Sequence, residues 1–200
     1  TSGPMNASAL VLPCVLVLSA CSTTPARVDP LRDPQLLPAA ASSAVVRRDA
    51  TLALSSVTDA RVSAAGERAW VDDRLTLPVH DLVRDYLRAE LDRAAGFARA
   101  TDPAHADYSL AIQIVEFGAT LDETWSASDG VGRTVLRATL VRTKDAKTLL
   151  DRTYAQEVSE KRVLLGDVDP VRLAGHSLAH VTAQVLSDLG RLDLAAPPAP

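Results

Sequence analysis

YSLAIQIVEF, residues 108–117, alternates large apolar side chains with small or polar ones at a period of two. Such alternation predicts a β-strand with one buried face. The side chains expected on the buried face are Tyr108, Leu110, Ile112 and Ile114. The pattern changes face near Val115 and Phe117, which predicts a β-bulge at this point. This is the clearest strand in the chain, and the rest of the fold is predicted from the segments on either side of it.

The segments before this strand predict a strand and a helix. Thr51–Val57 alternates in the same way and predicts the first strand, while Ala69-Trp70-Val71 predicts a short extended piece. Apolar residues recur at every third and fourth position from Val79 to Ala95, which is the period of an amphipathic helix. Gly96 is expected to end this helix.

The segments after it predict a hairpin and a final helix. Two half-buried strands are expected over Arg133–Arg142 and Thr148–Val158, joined by a turn at Lys144–Lys147, and Gly130-Val131-Gly132 predicts a further hairpin turn. The final helix is expected over Pro170–Leu189, with Asp169 as its cap and Gly190 as its stop. The residues expected on its apolar face are Leu173, Ala174, Ser177, Leu178, Val181, Val185, Leu186 and Leu189.

The order of these elements is strand, helix, three strands, helix. Short turns between successive strands require antiparallel pairing, and the first helix permits a crossover from the first strand. The predicted fold class is therefore α+β, a mixed, mostly antiparallel sheet of about four to five strands with two main helices packed on one face. One domain is expected over residues 50–191, and a disordered tail rich in Ala and Pro over residues 192–200.

The N-terminal segment ends in Leu18-Ser19-Ala20-Cys21, after an apolar run that begins at Ala9. An apolar run followed by small residues and a cysteine is typical of bacterial lipoprotein signal peptides, which are cleaved before the cysteine. The run is too short to span a bilayer, which takes about 20 apolar residues. We therefore expect residues 1–20 to be a signal peptide and Cys21 to carry the lipid. The alternative is a buried apolar segment that ends in a cysteine, which Pro13 disfavours.

Residues 21–49 are predicted to comprise the lipid-modified Cys21 and a tether. Prolines recur through this segment, and Pro-rich chains behave as extended, semi-rigid spacers. Leu31, Leu36 and Leu37 are apolar enough for part of the tether to lie on the domain. Ser22 follows the cysteine where an aspartate would favour the inner membrane, so the outer membrane is expected.

Composition narrows the function classes further. The net charge of −4 offers no basic face for nucleic acid, and an aromatic content of 4% offers few stacking platforms. If Cys14 leaves with the signal peptide and Cys21 is acylated, the mature chain has no free thiol, which is compatible with an oxidising compartment. Trp125 and Trp70 either pack over a sheet edge or contact a partner, and the sequence leaves both open.

Two clusters of polar side chains are candidates for a catalytic or metal site. His176 and His180 lie four residues apart on one helix face, a spacing that can hold zinc, but no third ligand accompanies them. Asp122, Glu123 and Asp129 could serve as acid and base only if burial separated their pKa values, and they are expected in a polar loop. We therefore expect no catalytic residue, no metal and no cofactor.

The segments of this chain, taken in order, resemble the ABC-type transport auxiliary lipoproteins. They are the lipobox Leu18-Ser19-Ala20-Cys21, the Pro-rich tether, the helix over 78–95, the strand ending in Val115-Glu116-Phe117, two further strands and a long final helix. In that family a strand ending in a similar triplet precedes a loop and a hairpin. The resemblance covers about residues 50–190.

The resemblance implies a non-enzymatic auxiliary component of an ABC/MCE-type intermembrane lipid transport system. Such a protein is lipid-anchored in the outer membrane, faces the periplasm, and docks to an MCE-domain protein and an inner-membrane permease complex. Two alternatives stay open: an outer-membrane assembly or structural lipoprotein, lipopolysaccharide-assembly or YajG-like, without an ABC partner, and a periplasmic enzyme.

Overall fold

Five strands form one mixed sheet in the computed structural model, which describes residues 26–40, 50–61, 69–94, 98–99, 105–124, 127–163, 167–192 and 194. The elements in chain order are β1 (Thr51–Asp59), α1 (Ala69–Arg74), α2 (Val79–Ala94), β2 (Ala98–Arg99), β3 (Tyr108–Glu123), β4 (Ala127–Arg142), β5 (Lys147–Val163) and α3 (Pro170–Arg191).

The strands lie in the order β2-β1-β3-β4-β5. β1 pairs in parallel with both β2 and β3, because the helical crossover after β1 returns the chain to the end of the sheet from which it started. β3, β4 and β5 pair antiparallel, and residues 143–146 form the turn between β4 and β5. The predicted mixed, mostly antiparallel sheet and its hairpin are confirmed.

The predicted bulge in β3 is also confirmed. Ile114 pairs with Leu136 and Glu116 pairs with Val135, so Val115 is the extra residue. Val115 is 37% exposed, whereas Phe117 returns to the core at 2% exposure. The bulge thus moves the buried face of β3 by one position, as the change of alternation predicts.

Both long helices, α2 and α3, pack on one face of the sheet, and the core lies between the helices and the sheet. Asp169 caps α3 by accepting a hydrogen bond from the Val171 amide at 2.9 Å. The predicted apolar face of α3 is buried throughout, from Leu173 to Leu189. The predicted stop at Gly190 is wrong, because α3 runs two residues beyond Leu189 to Arg191 and the Leu192 amide still donates to the Asp188 carbonyl. Gly96, the expected end of α2, lies outside the described residues.

The short extended piece predicted at Ala69-Trp70-Val71 is wrong, since these residues begin α1. Val71 is fully buried and Leu75, four residues later, is 3% exposed. A helical turn places residues with this spacing on the same side, so the helix lets both reach the core. The side chain of Trp70 lies outside the described residues.

The hairpin turn predicted at Gly130-Val131-Gly132 is wrong as well, because all three residues lie inside β4. The two glycines let α3 approach the sheet closely. A Cβ atom on Gly132 would lie 2.3 Å from the carbonyl carbon of Leu173, and one on Gly130 would lie 2.6 Å from Leu173 Cδ1. Gly130 and Gly132 are therefore the positions of β4 on which α3 packs.

Candidate functional site

Residues 26–40, here called the strap, pack against the helices. Leu37 is 6% exposed and Ala40 is 1% exposed, whereas Leu31 points outward at 38% exposure. The structure therefore places part of the predicted tether on the domain, as its leucines allowed. Cys21, the predicted lipid-attachment residue, lies outside the described residues.

The strap begins at the loop between α1 and α2. Val28 forms a parallel bridge with Leu75: its amide donates to the Arg74 carbonyl at 2.8 Å, and its carbonyl accepts from the Thr76 amide at 2.9 Å. Arg74 also lies 3.7 Å from Asp169, the cap of α3. The strap therefore starts beside the N-terminal end of α3.

The strap ends along the second half of α2, where three side chains bind its backbone. The Tyr86 hydroxyl donates to the Pro38 carbonyl at 2.7 Å, and burial raises the pKa of this tyrosine well above its usual range. Arg93 donates to the Ala40 carbonyl at 2.8 Å. Glu90, 5% exposed, accepts from the Ala40 amide at 3.2 Å and pairs with Arg93. A buried carboxylate is stable only with such partners.

The middle of the strap lies on α3. His176 Nε2 is 3.0 Å from the Gln35 carbonyl oxygen, to which the ring donates when protonated at Nε2. A Cβ atom on Gly175 would lie 2.0 Å from the Leu36 carbonyl oxygen, so only glycine permits this contact. His180 is exposed, and in the described part of the chain no three His, Cys, Asp or Glu side chains could hold a metal ion. His176 thus binds the strap.

The sheet face opposite the helices carries cross-strand ion pairs. Arg133 contacts Glu116 at 2.6 Å and Glu157 at 2.7 Å. Arg137 holds Asp151 with two hydrogen bonds of 2.8 and 2.7 Å, and these bonds lower the pKa of that carboxyl. Alternating opposite charges across neighbouring strands suit a face that meets water or a polar partner surface.

A shallow depression of about 140 Å³ lies on this face, lined among others by Gly118, Thr120, Val131 and Arg133. Small-molecule sites usually enclose about 300–1,000 Å³ and place a few polar groups around an apolar cleft. The charged groups at this depression are engaged in the ion pairs of Arg133. Its size and chemistry fit contact with a protein side chain better than a substrate.

The acidic cluster predicted in a loop lies instead at the ends of two strands. Asp122 and Asp129 pair across β3 and β4, and Lys161 contacts Asp129 at 2.9 Å. The strands extend further than expected, because the pairing of β3 with β4 continues to Glu123 and Ser128. The side chain of Glu123 and all of Trp125 lie outside the described residues.

One charged cluster was missed by sequence reasoning. Arg61, with a side chain 15% exposed, contacts Asp59 at 2.7 Å and Asp72 at 2.8 Å. Burial opposes the charge of Arg61, but its hydrogen bonds to the two carboxylates raise the pKa of the guanidinium. The hydrogen bond from Arg61 in turn lowers the pKa of Asp59. Only the spacing of Asp59 and Arg61 is visible in the sequence. Through Asp72, the cluster connects the end of β1 with α1.

Comparisons with known proteins return similarity of fold only. No protein-family model and no curated protein match this chain. A Xanthomonas campestris protein described under the family name DUF330 is 16% identical, with a TM-score of 0.49 over 76% of this chain and 88% of its own. A hypothetical protein from Chlamydia trachomatis is 9% identical, with a TM-score of 0.44 over 71% and 96%. A minor lipoprotein from Acinetobacter baumannii is 10% identical, with a TM-score of 0.33 over 68% and 89%.

None of the described helices combines the length and the apolar character that a transmembrane helix needs.

Proposed function

We propose that this chain is a lipoprotein of the bacterial envelope, anchored through Cys21, whose α+β domain docks to partner proteins. In its specific form, the domain is a non-enzymatic auxiliary component of an ABC/MCE-type intermembrane lipid transport system, held at the outer membrane and facing the periplasm. Its partners are then an MCE-domain protein and an inner-membrane permease complex.

The observation that carries this proposal is the strap. It begins five residues after Cys21, and the domain binds its backbone through Tyr86, Glu90 and Arg93. A segment built into the fold directly after the lipobox mechanically joins the domain to the proposed anchor. The charged sheet face and its shallow depression, in turn, are suited to protein contact.

The anchor is tested by metabolic labelling with a palmitate analogue and by membrane fractionation of the full chain. The wild-type protein is expected to incorporate label and to sediment with membranes, and Cys21→Ala to lose both. Cys14→Ala is the matched control, because this cysteine precedes the cleavage site and its loss should leave labelling unchanged. Equal labelling of wild type and Cys21→Ala would refute anchoring at this residue.

The docking role is tested by crosslinking intact envelopes and purifying the lipid-modified chain in detergent. The expected result is co-purification of an MCE-domain protein together with permease subunits. Cys21→Ala separates docking from anchoring, because a released domain that still captures the MCE-domain protein binds it directly. A chain recovered alone, at unchanged protein level, would count against the transport system and leave the anchor unaffected.

A further inference from the structure

The start of the strap and the start of β1 lie toward opposite ends of the sheet. Val28 pairs with Leu75, next to Arg74 and the cap of α3. In contrast, β1 starts at Thr51, and Leu52 pairs with Tyr108 at the first residue of β3. Tyr108 in turn pairs with Arg142, the last residue of β4 before its turn to β5.

Two ends of the domain can therefore be defined. The α1 end holds α1, Val28 and the start of α3, and it lies level with Phe117 because Arg61 joins Asp72 to the Phe117 carbonyl. The turn end holds Tyr108 and the β4–β5 turn at residues 143–146. Phe117 and Tyr108 are nine residues apart on one strand, which at the usual rise separates the two ends by about 30 Å.

Which end lies near the anchor depends on whether the strap is bound. With the strap bound, Val28 makes the first described backbone contact after Cys21; it is seven residues away, a reach of at most about 25 Å. With the strap released, the first described contact becomes that of β1, which starts at Thr51 at the turn end. The same anchor would then hold the domain by its opposite end.

We propose that the bound strap transfers the attachment point from the turn end to the α1 end, so that α1 and the start of α3 face the bilayer and the β4–β5 turn points away from it. This proposal rests on the lipid anchor at Cys21 proposed above. The strap is held by hydrogen bonds between its backbone and Tyr86, Glu90, Arg93 and His176, and by the burial of Leu37 in the core.

The described charges at the α1 end agree with an orientation set by the strap and not by attraction to lipid. Arg61 and Arg74 are both paired with carboxylates, and Asp73 adds a further exposed acidic residue. Arg27, exposed beside Val28, is a single basic residue and not a cluster. Anionic headgroups attract unpaired basic clusters. The strap is therefore the element that selects the end facing the membrane.

The test measures energy transfer from a fluorophore on the domain to acceptor lipids. The mature, lipid-modified chain is reconstituted into vesicles of phosphatidylethanolamine and phosphatidylglycerol. A single thiol is introduced as Asp73→Cys at the α1 end or Lys144→Cys at the turn end, both at exposed positions. Transfer from position 73 is expected to exceed transfer from position 144.

Gly175→Ala provides the second arm, because the added Cβ atom would lie 2.0 Å from the Leu36 carbonyl oxygen and displace the strap. The difference between positions 73 and 144 should then vanish or reverse. Gly190→Ala, in the last turn of the same helix, is the matched control for the added methyl group and should preserve the wild-type order.

Equal transfer from both positions in the wild type, or greater transfer from position 144, would overturn the orientation. An unchanged order in Gly175→Ala, with proteolysis showing that the strap is released, would also overturn it. Failure of the proposed anchor has a different signature: the chain would not float with vesicles, and Cys21→Ala would behave as the wild type.

Discussion

Substituting Gly132 by alanine tests whether the two glycines of β4 exist to seat α3. The added Cβ atom would lie 2.3 Å from the carbonyl carbon, 2.4 Å from the carbonyl oxygen and 2.7 Å from the Cβ atom of Leu173. Carbon atoms in contact usually lie about 3.5–4.0 Å apart. Because the obstruction is mainly helix backbone, α3 must move away from the sheet by about 1 Å.

The expected magnitude follows from two opposing effects. Overpacking a well-packed core costs about 1–3 kcal/mol, and backbone obstruction places Gly132→Ala at the upper end of that range. Replacing a strand glycine by alanine regains about 0.5–1 kcal/mol. We expect a net loss of about 2 kcal/mol in the free energy of unfolding, which lowers Tm by about 4–8 °C in a chain of this size.

Urea and thermal denaturation followed by circular dichroism measure this loss. Gly118→Ala is the matched control, because Gly118 pairs with Arg133 on the helix-free face and borders the depression there. Because none of the described helices covers that position, Gly118→Ala is expected to keep the gain of about 0.5–1 kcal/mol that alanine brings to a strand. If Gly132→Ala were as stable as Gly118→Ala, the close approach of α3 would not be the reason for the glycine.

Three further predictions concern the buried hydroxyls, the acid response and the strap. Ser177 donates to the Ala174 carbonyl at 2.8 Å and so accepts from Thr134 at 2.6 Å. By urea denaturation, Ser177→Ala should cost about 1–3 kcal/mol, because it leaves the buried Thr134 hydroxyl without an acceptor, and Thr134→Val about 1 kcal/mol, because it leaves only the acceptor of Ser177 unpaired. The reverse order would contradict this donor assignment. The hydrogen bond from Arg61 lowers the pKa of Asp59, so the stabilisation that this carboxylate gives is complete above about pH 4 and is lost as the pH falls through the folded pKa. On acidification, the free energy of unfolding should therefore fall less for Asp59→Asn than for the wild type. An equal fall would refute the stabilising role of the Asp59 carboxylate. Tyr86→Phe removes the bond to the Pro38 carbonyl and should speed proteolysis within the strap, whereas Tyr154→Phe, which loses a bond to Asp188, should not.

The parts of the fold that the sequence predicts well depend on local periodicity. The alternation of Tyr108–Phe117 predicts β3 and its bulge, and the helical spacing of Pro170–Leu189 predicts the buried face of α3. Each of these patterns repeats over two or more turns or strand pairs, so burial of one face determines the structure. Ala69-Trp70-Val71 is too short to show a period, and its helix is decided by the burial of Val71.

The errors at the glycines and in the strap arise from contacts between distant parts of the chain. Gly130 and Gly132 fit a turn as well as a strand, and only the proximity of Leu173 distinguishes the two. The contact that places the strap on α3 is between Gln35 and His176, which are 141 residues apart. Side chains that bind backbone atoms leave no pattern at the sites they bind, so Tyr86 and Glu90 were not recognised as part of a site.

The contact between Gln35 and His176 also has a consequence for the order of folding. The strap lies near the beginning of the sequence, but half of the surface that binds it belongs to α3, which is the last of the described helices to be synthesised. Contacts of such long sequence separation form late, because the loop between them must close first. A chain that ends before α3 would therefore retain Cys21 but lack the half of the strap's binding surface that α3 provides. The bound strap is thus formed only after the whole domain has been synthesised, and its protection from protease reports that folding is complete.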